Sequence, residues 1–298
     1  MKFSYSDTAK LDDKAREATR KLISLLYHDV FDYPLTKSEL LKWSPSKKIN
    51  GLISKDHFIS YKGGFYYLED KKNLVIKRLL REKICQRKLK VAQRGGKILA
   101  LIPTIKMIGI TGALAMKNSD DESDIDLIII TKRGTLWISR LLSLFFLDLI
   151  RIPRRKFGDR NQKDKLCLNM WLEEGDLVWP KKTRNIYSAH EIAQIVPILS
   201  KEKTYEKFIW ENRWITEFWP NAVSVTKELK NKRNEEQKEF LISLVLNFFS
   251  SLVEILAFKF QYNYMRNKIT RETVTPTRAL FHPVDWASVV LSRFQNII

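Results

Sequence analysis

Cysteine is nearly absent: Cys85 and Cys167 are the only two in 298 residues. They stand in different contexts and share no metal-type spacing, which excludes a disulfide framework and makes a reducing cytoplasm the expected compartment. Acidic residues are scarce beside basic ones, 34 against 53, which leaves a formal charge of +19 and a pI near 9.8. Such a field favours phosphate-bearing partners (nucleotides, nucleic acid or an anionic membrane surface) and equally suits a solvated basic face. No long apolar run is present. The longest uncharged stretch, Phe240 to Val253, contains Ser243, Asn247, Ser250 and Ser251 and is too short and too polar for a transmembrane segment. The first residues lack the apolar core of a signal peptide. Repeats and low-complexity tracts are missing too. What is present supports a folded chain: 44% of the residues are hydrophobic, and the length suits two or three domains.

The most informative stretch is Gly109 to Thr131. An apolar run, Ile105 to Thr111, ends at Gly112, and Ala113-Leu114-Ala115-Met116 reads as one helical turn. A polar turn, Asn118 to Ser123, follows. Asp124-Ile125-Asp126 then leads into Leu127-Ile128-Ile129-Ile130, short and β-branched enough to be a buried strand. Residues two apart on a strand share a face, so Asp124 and Asp126 lie side by side. Adjacent carboxylates repel and resist desolvation, and a divalent cation offsets both costs. Hard oxygen donors on a rigid strand suit Mg²⁺ or Mn²⁺. A strand, a glycine and a helix start expose backbone N–H groups that can hold a triphosphate. Metal ligands beside a phosphate cradle point to phosphoryl-transfer chemistry.

Gly112-Ala113, a spacer, then Asp124-Ile125-Asp126 before an apolar strand resembles the polymerase-β-type nucleotidyltransferase superfamily. That motif is Gly-Ser or Gly-Gly, roughly ten residues, then Asp-x-Asp. The small bacterial nucleotidyltransferase domain, with Gly-Ser-x-Ala and then Ser-Asp-Ile-Asp-Leu, is the variant it resembles most. The match is tight over about a tenth of the chain and loose over about a third. The resemblance implies transfer of a nucleoside monophosphate from an NTP, ATP being the expected donor, to an acceptor hydroxyl that the sequence does not identify. It implies Mg²⁺ or Mn²⁺ on Asp124 and Asp126, with Gly112, Ala113, Lys117 and Ser123 contacting the nucleotide. Arg154 or Arg155 would clamp the triphosphate. Two positions depart from the pattern. Ala113 replaces a serine whose hydroxyl resembles a phosphate contact. Asn169 stands where the superfamily carries a third carboxylate, often the base; Glu173, on the same expected face, and Asp164 are the other candidates. The departures keep a second reading open: a non-catalytic nucleotide-sensing or DNA-binding regulator built on a degenerate domain of this type.

The expected fold is α+β. A nucleotidyltransferase-type mixed β-sheet with flanking helices occupies 104–180. It follows a winged-helix-like domain at 1–70 and a basic helical connector at 71–103, and precedes a C-terminal helical region at 181–298. The N-terminal expectation rests on a helix over Ala15 to Tyr27, a capping box from Thr36 to Glu39, and a helix from Ser44 to about Lys55. A hairpin around Gly63-Gly64 completes it. The third helix would offer Ser46, Lys47, Lys48 and Asn50 to a major groove. The connector reads as a solvated basic helix interrupted at Gly95-Gly96. Leu136 to Ile150 is an apolar helix and Arg151 to Lys165 a basic loop. Leu166 to Glu173 alternates, with Leu166, Leu168, Met170 and Leu172 on one face and Cys167, Asn169, Trp171 and Glu173 on the other. Ser188 to Leu199 is expected to be a capped helix with a structural His190, Tyr205 to Phe218 an aromatic helix, and Glu235 to Arg266 a long one.

Overall fold

Local signals at the N-terminal end build a small sheet. The structure is a computed structural model that describes residues 22–46, 59–68, 71, 73–224, 242–281 and 285–297. The expected groove helix beyond Ser46, with Lys47, Lys48 and Asn50, lies outside the described residues, as do 1–21 and the start of the long helix. Helix α1 spans 22–29 and buries Leu25, Leu26 and Tyr27. Strand β1, Leu35–Thr36, runs into α2, Lys37–Lys42. The capping box is present: Thr36 Oγ1 accepts from the Glu39 amide, and the Glu39 carboxylate accepts from the Thr36 amide. Strands β2, Ile59–Lys62, and β3, Phe65–Leu68, form the hairpin. Gly63 and Gly64 take φ of 59° and 87°, which a tight two-residue turn requires of both positions. β1 joins as an outer strand in the order β1-β3-β2. Two residues long, it carries no signal of its own in the sequence.

Helix α3, Leu74–Leu99, is continuous over Gly95 and Gly96, where the sequence suggests a kink or a break into a second helix. The glycines serve close approach instead. A Cβ on Gly95 would fall 2.3 Å from Leu166 Cδ1, and one on Gly96 2.8 Å from Ile198 Cγ2. Past α3 come β4, Ile105–Ile110; the single turn α4, Gly112–Ala115; β5, Ile125–Thr131; α5, Leu136–Leu149; and β6, Leu166–Glu173. Then follow α6, Ile186–Ala193; β7, Val196–Ser200; α7, Thr204–Glu211; α8, Ile242–Met265; β8, Thr273–Val274; β9, Arg278–Leu280; and α9, Trp286–Ile297. The described chain is therefore a mixed α and β protein.

The main sheet has the order β7-β4-β5-β6-β9-β8. β5 and β6 are parallel, joined through α5, and every other pairing is antiparallel. The region expected to be helical thus supplies β7, β8 and β9. The residues read as the end of a helix from Ser188 form β7. Asn185 caps α6 by accepting from the Ser188 amide, and the helix ends at Ala193. Pro197 then lies on an edge strand, where its missing N–H costs least. The aromatic helix divides at buried Asn212, whose side chain accepts from the Trp179 amide and donates to the Leu177 carbonyl.

Two apolar cores cover the sheet. Ile125, Leu127 and Ile129 enter the core shared with α3, α5 and α8; Ile128 and Ile130 enter the one shared with the N-terminal unit, α6, α7 and α9. Strand alternation puts Asp126 on the face of Ile128 and Ile130, the face that α6 covers. Among the described residues, no helix is long and apolar enough to cross a membrane.

A buried aromatic box ties α6 to the N-terminal unit. His190 stacks on Trp43 with ring centres 4.0 Å apart, beside Tyr27 and Trp219. His28 Nδ1–H donates to Ser24 O at 2.8 Å, so the neutral ring presents Nε2 as acceptor to His190 Nε2–H at 3.2 Å. A further proton on His28 would go to Nε2 and set two N–H groups face to face. Burial lowers His28 to about 4 and His190 well below its ordinary range. A depressed histidine favours the fold above the ordinary 6.5, and that contribution is lost as pH falls toward 4. The loss amounts to about 1.4 kcal/mol per pH unit for each ring. NMR titration of the ring signals is expected to show both neutral at pH about 5. A ring titrating near 6.5 would contradict the box.

Candidate functional site

The sheet end where β4 stops and β5 and β6 begin gathers the acids and the glycine. The Thr111 amide donates to Asp126 O at 3.0 Å, which places the Gly112 turn against β5. Gly112 has φ of 61°, and a Cβ there would lie 2.7 Å from Asp126 Oδ2. Both the left-handed backbone and the lack of room demand glycine. Asp126 pairs in register with Cys167 on β6. One donor atom from each of Asp124, Asp126 and Cys167 lies within 4.8 Å of the other two. The two acids share a face as their spacing predicts, and the cysteine joins them.

The expected alternation of β6 is broken by a bulge. Asp126 faces Cys167 and Ile128 faces Met170, so three steps of β6 match two of β5. Leu166, Leu168 and Trp171 consequently enter one core and Met170 and Leu172 the other. The bulge aims Asn169 at the acids: its Nδ2 donates to Asp126 Oδ1 at 2.7 Å. Glu173 is carried to the far end of the strand, where its carboxylate accepts from the Gly134 amide at 3.0 Å. There it helps to cap α5 with Glu254, which accepts from the Trp137 and Ile138 amides. Asp164 is held by Lys88 and Arg87. Neither is a third acid of the site.

The acid that sequence reading passed over is Glu191, next to His190. It is the single charged residue of α6, and that isolation was its signal. Gln194 donates to its Oε1 at 2.7 Å. Burial pushes Glu191 up to about 8, and the charge of Asp126 adds to the rise. Burial likewise pushes Asp126 up to about 7 and Asp124 adds to it, while Arg155, Cys167 and Asn169 hold it down.

Basic side chains position the surrounding loops. Arg155 Nη1 donates to Asp124 Oδ2 at 2.8 Å and lies 3.8 Å from Cys167 Sγ. Its loop runs along the start of β6, with the Arg155 amide on Leu166 O and the Leu166 amide on Pro153 O. Arg154 turns away to grip Asp148 with two hydrogen bonds. Lys88 of α3 is fully buried and donates to Asp121 O, Ser123 O and Asp164 Oδ1 at 3.1, 2.6 and 2.9 Å. Arg81 reaches Asn118 Oδ1 at 2.9 Å. The connector helix therefore does not present a uniformly solvated basic face; part of it clamps the loop that leads to Asp124. Replacing Lys88 with Met is expected to lower stability by about 3 kcal/mol, because three part-buried acceptors lose the donor that holds the loop. Urea unfolding checks this, and an unchanged midpoint would contradict the clamp.

Gly112, Asp124, Asp126 and Asn169 are thus brought together. Ala113 and Lys117 adjoin the same turn and are exposed, with Lys117 at a left-handed φ of 56°. The Ser123 hydroxyl is engaged within its own turn, on Asp120 O and Ser119 Oγ. The donor set fits a cation. It holds two carboxylates side by side, and a buried Asn169 Oδ1 with no hydrogen-bond partner among the described residues. An orphaned buried acceptor costs about 1–3 kcal/mol unless something occupies it. No protein-family model matches the chain, and no curated protein matches it.

Proposed function

We propose that the chain is a nucleotidyltransferase of the polymerase-β type, moving a nucleoside monophosphate from an NTP to an acceptor hydroxyl. The observation that carries this reading is the Gly112 turn, packed so that a Cβ would meet Asp126 Oδ2 at 2.7 Å with Asp124 alongside. A phosphate cradle and a cation site are then one structure. The mixed sheet, with its parallel β5–β6 pair, agrees with the fold that the motif implies.

Asp124 and Asp126 would hold the cation, Mg²⁺ or Mn²⁺, which when bound draws charge off the phosphates during in-line displacement. The Gly112-Ala113 backbone, free of bulky side chains, admits the triphosphate of ATP or another NTP. Arg155 already faces the acids and is suited to bind a phosphate oxygen. Glu191 is the carboxylate suited to take the proton of the acceptor hydroxyl, since a base works best when its pKa lies near the working pH. The +19 charge supports a polyanionic acceptor or partner such as nucleic acid.

Asn169 in the expected place of an acid favours a second reading, a nucleotide-sensing regulator. In it the N-terminal sheet and capped helix act as a winged helix on DNA. Calorimetric titration with ATP and a divalent cation tests what the two share: one nucleotide per chain, bound only with the cation. Binding that ignores the cation would count against both.

A further inference from the structure

We propose that Cys167 and Asn169 complete the cation site, so that it takes a borderline or thiophilic divalent ion such as Co²⁺ or Zn²⁺ in preference to Mg²⁺. The inference rests on the reading of Asp124 and Asp126 as cation ligands, and extends it to the donors that set which cation binds.

Four observations converge on it. Cys167 is buried but belongs to neither apolar core, whereas Cys85 lies within one. Its neighbours are two carboxylates and a guanidinium, an unusual setting for a cysteine that merely fills space. Its Sγ lies within 4.8 Å of donor oxygens of both acids. Two donors on one ion, at about 2.0–2.2 Å for oxygen and about 2.3 Å for sulfur, sit up to roughly 4.5 Å apart, so a small adjustment suffices.

Asn169 supplies the independent sign of a ligand. It is 5% exposed, and its Nδ2 donates to Asp126 Oδ1 at 2.7 Å. That bond fixes the amide, because turning its oxygen toward the carboxylate would set two acceptors together. The amide oxygen is left buried, with no hydrogen-bond partner among the described residues. The guanidinium beside Cys167 is that of Arg155, whose Nη1 lies 2.8 Å from Asp124 Oδ2 and 3.8 Å from Cys167 Sγ. The donor set becomes two carboxylates, an amide oxygen and a thiolate, the thiol proton leaving to solvent on ligation. Mg²⁺ demands oxygen donors and sheds water reluctantly, whereas a thiolate suits softer ions.

Co²⁺ is the probe, added to the full reduced chain without nucleotide. The wild type is expected to develop thiolate-to-cobalt charge-transfer absorption in the near ultraviolet, saturating at one ion per chain and surviving excess Mg²⁺. Cys167→Ser is expected to lose that band and to bind Co²⁺ at least about tenfold more weakly, since removing even an outer partner of a metal ligand costs about 10–100-fold. Cys85→Ala keeps the band, and Asn169→Ala keeps it with weakened affinity. Calorimetry with Co²⁺ reports binding independently of colour. Co²⁺ that binds without the sulfur band, or that excess Mg²⁺ displaces, overturns the inference and leaves the cation site standing. If Co²⁺ does not bind and ATP shows no cation dependence, the cation-site reading fails and this inference with it. Should Cys167→Ser fail to fold, the wild-type spectrum and the Mg²⁺ competition decide alone.

Discussion

Asp126→Asn is expected to abolish cation-dependent nucleotide binding and, without cation, to make the fold more stable at neutral and alkaline pH. The two effects share one cause. Burial and the charge of Asp124 raise the Asp126 carboxyl from 3.8 to about 7. A carboxyl raised on folding favours the fold at low pH, and that contribution is lost as pH climbs through the folded value. The penalty accumulates by up to about 1.4 kcal/mol for each pH unit between the two limits. Asparagine keeps an acceptor for Asn169 Nδ2 and the same volume beside Gly112, but carries no charge. Urea unfolding is expected to show little difference near pH 4 and a higher midpoint for the variant near pH about 8. Asp124→Asn is expected to gain less, because it takes the ionic partner from Arg155. An Asp126→Asn protein that binds ATP with the cation as the wild type does would remove the cation site from the account.

The second large effect concerns the base. Glu191→Gln is expected to lower turnover by about 10²–10⁴-fold, the usual contribution of a positioned base. Nucleotide affinity should barely change, since Glu191 lies on α6 and not on the Gly112 turn. Glu173→Gln is expected to leave turnover intact and to cost stability, because that side chain caps α5. Asn169→Asp is expected not to raise turnover: it would crowd a third carboxylate against Asp126, whose ionisation Asp124 already disfavours. Single-turnover kinetics on the three variants separates these outcomes. A silent Glu191→Gln together with an activated Asn169→Asp would reverse the assignment.

Much of the site was legible because strand and turn chemistry are local. The spacing of Asp124 and Asp126, the single turn after Gly112 and the Thr36–Glu39 box depend on neighbours in the chain, and all are in place. What could not be read was set by contacts far apart in sequence. The bulge that splits Leu166 and Leu168 from Met170 and Leu172 arises from registry with β5, and it both delivers Asn169 and removes Glu173. Gly95 and Gly96 look like helix breakers until Leu166 and Ile198 are seen against them. Glu191 feels the charge of Asp126 because α6, anchored by the histidine box to a unit more than a hundred residues earlier, covers that face of the sheet. Lys88 looked solvated because its acceptors, two backbone carbonyls and the Asp164 carboxylate, lie 33, 35 and 76 residues away. Cys167 did carry a signal, lying two residues before Asn169 on the same expected face, but its pairing with Asp126 needed the sheet.

The most direct test of nucleotidyl transfer follows the α-phosphate. NTP radiolabelled at the α-phosphate is incubated with the protein, a divalent cation and a panel of sugar, protein and nucleic-acid acceptors. The account predicts a labelled acceptor with release of pyrophosphate, no label from NTP marked at the γ-phosphate, and no transfer by Asp126→Asn. If the wild type binds nucleotide with its cation yet labels nothing above the Asp126→Asn background, the transferase claim is contradicted and the sensing regulator takes its place.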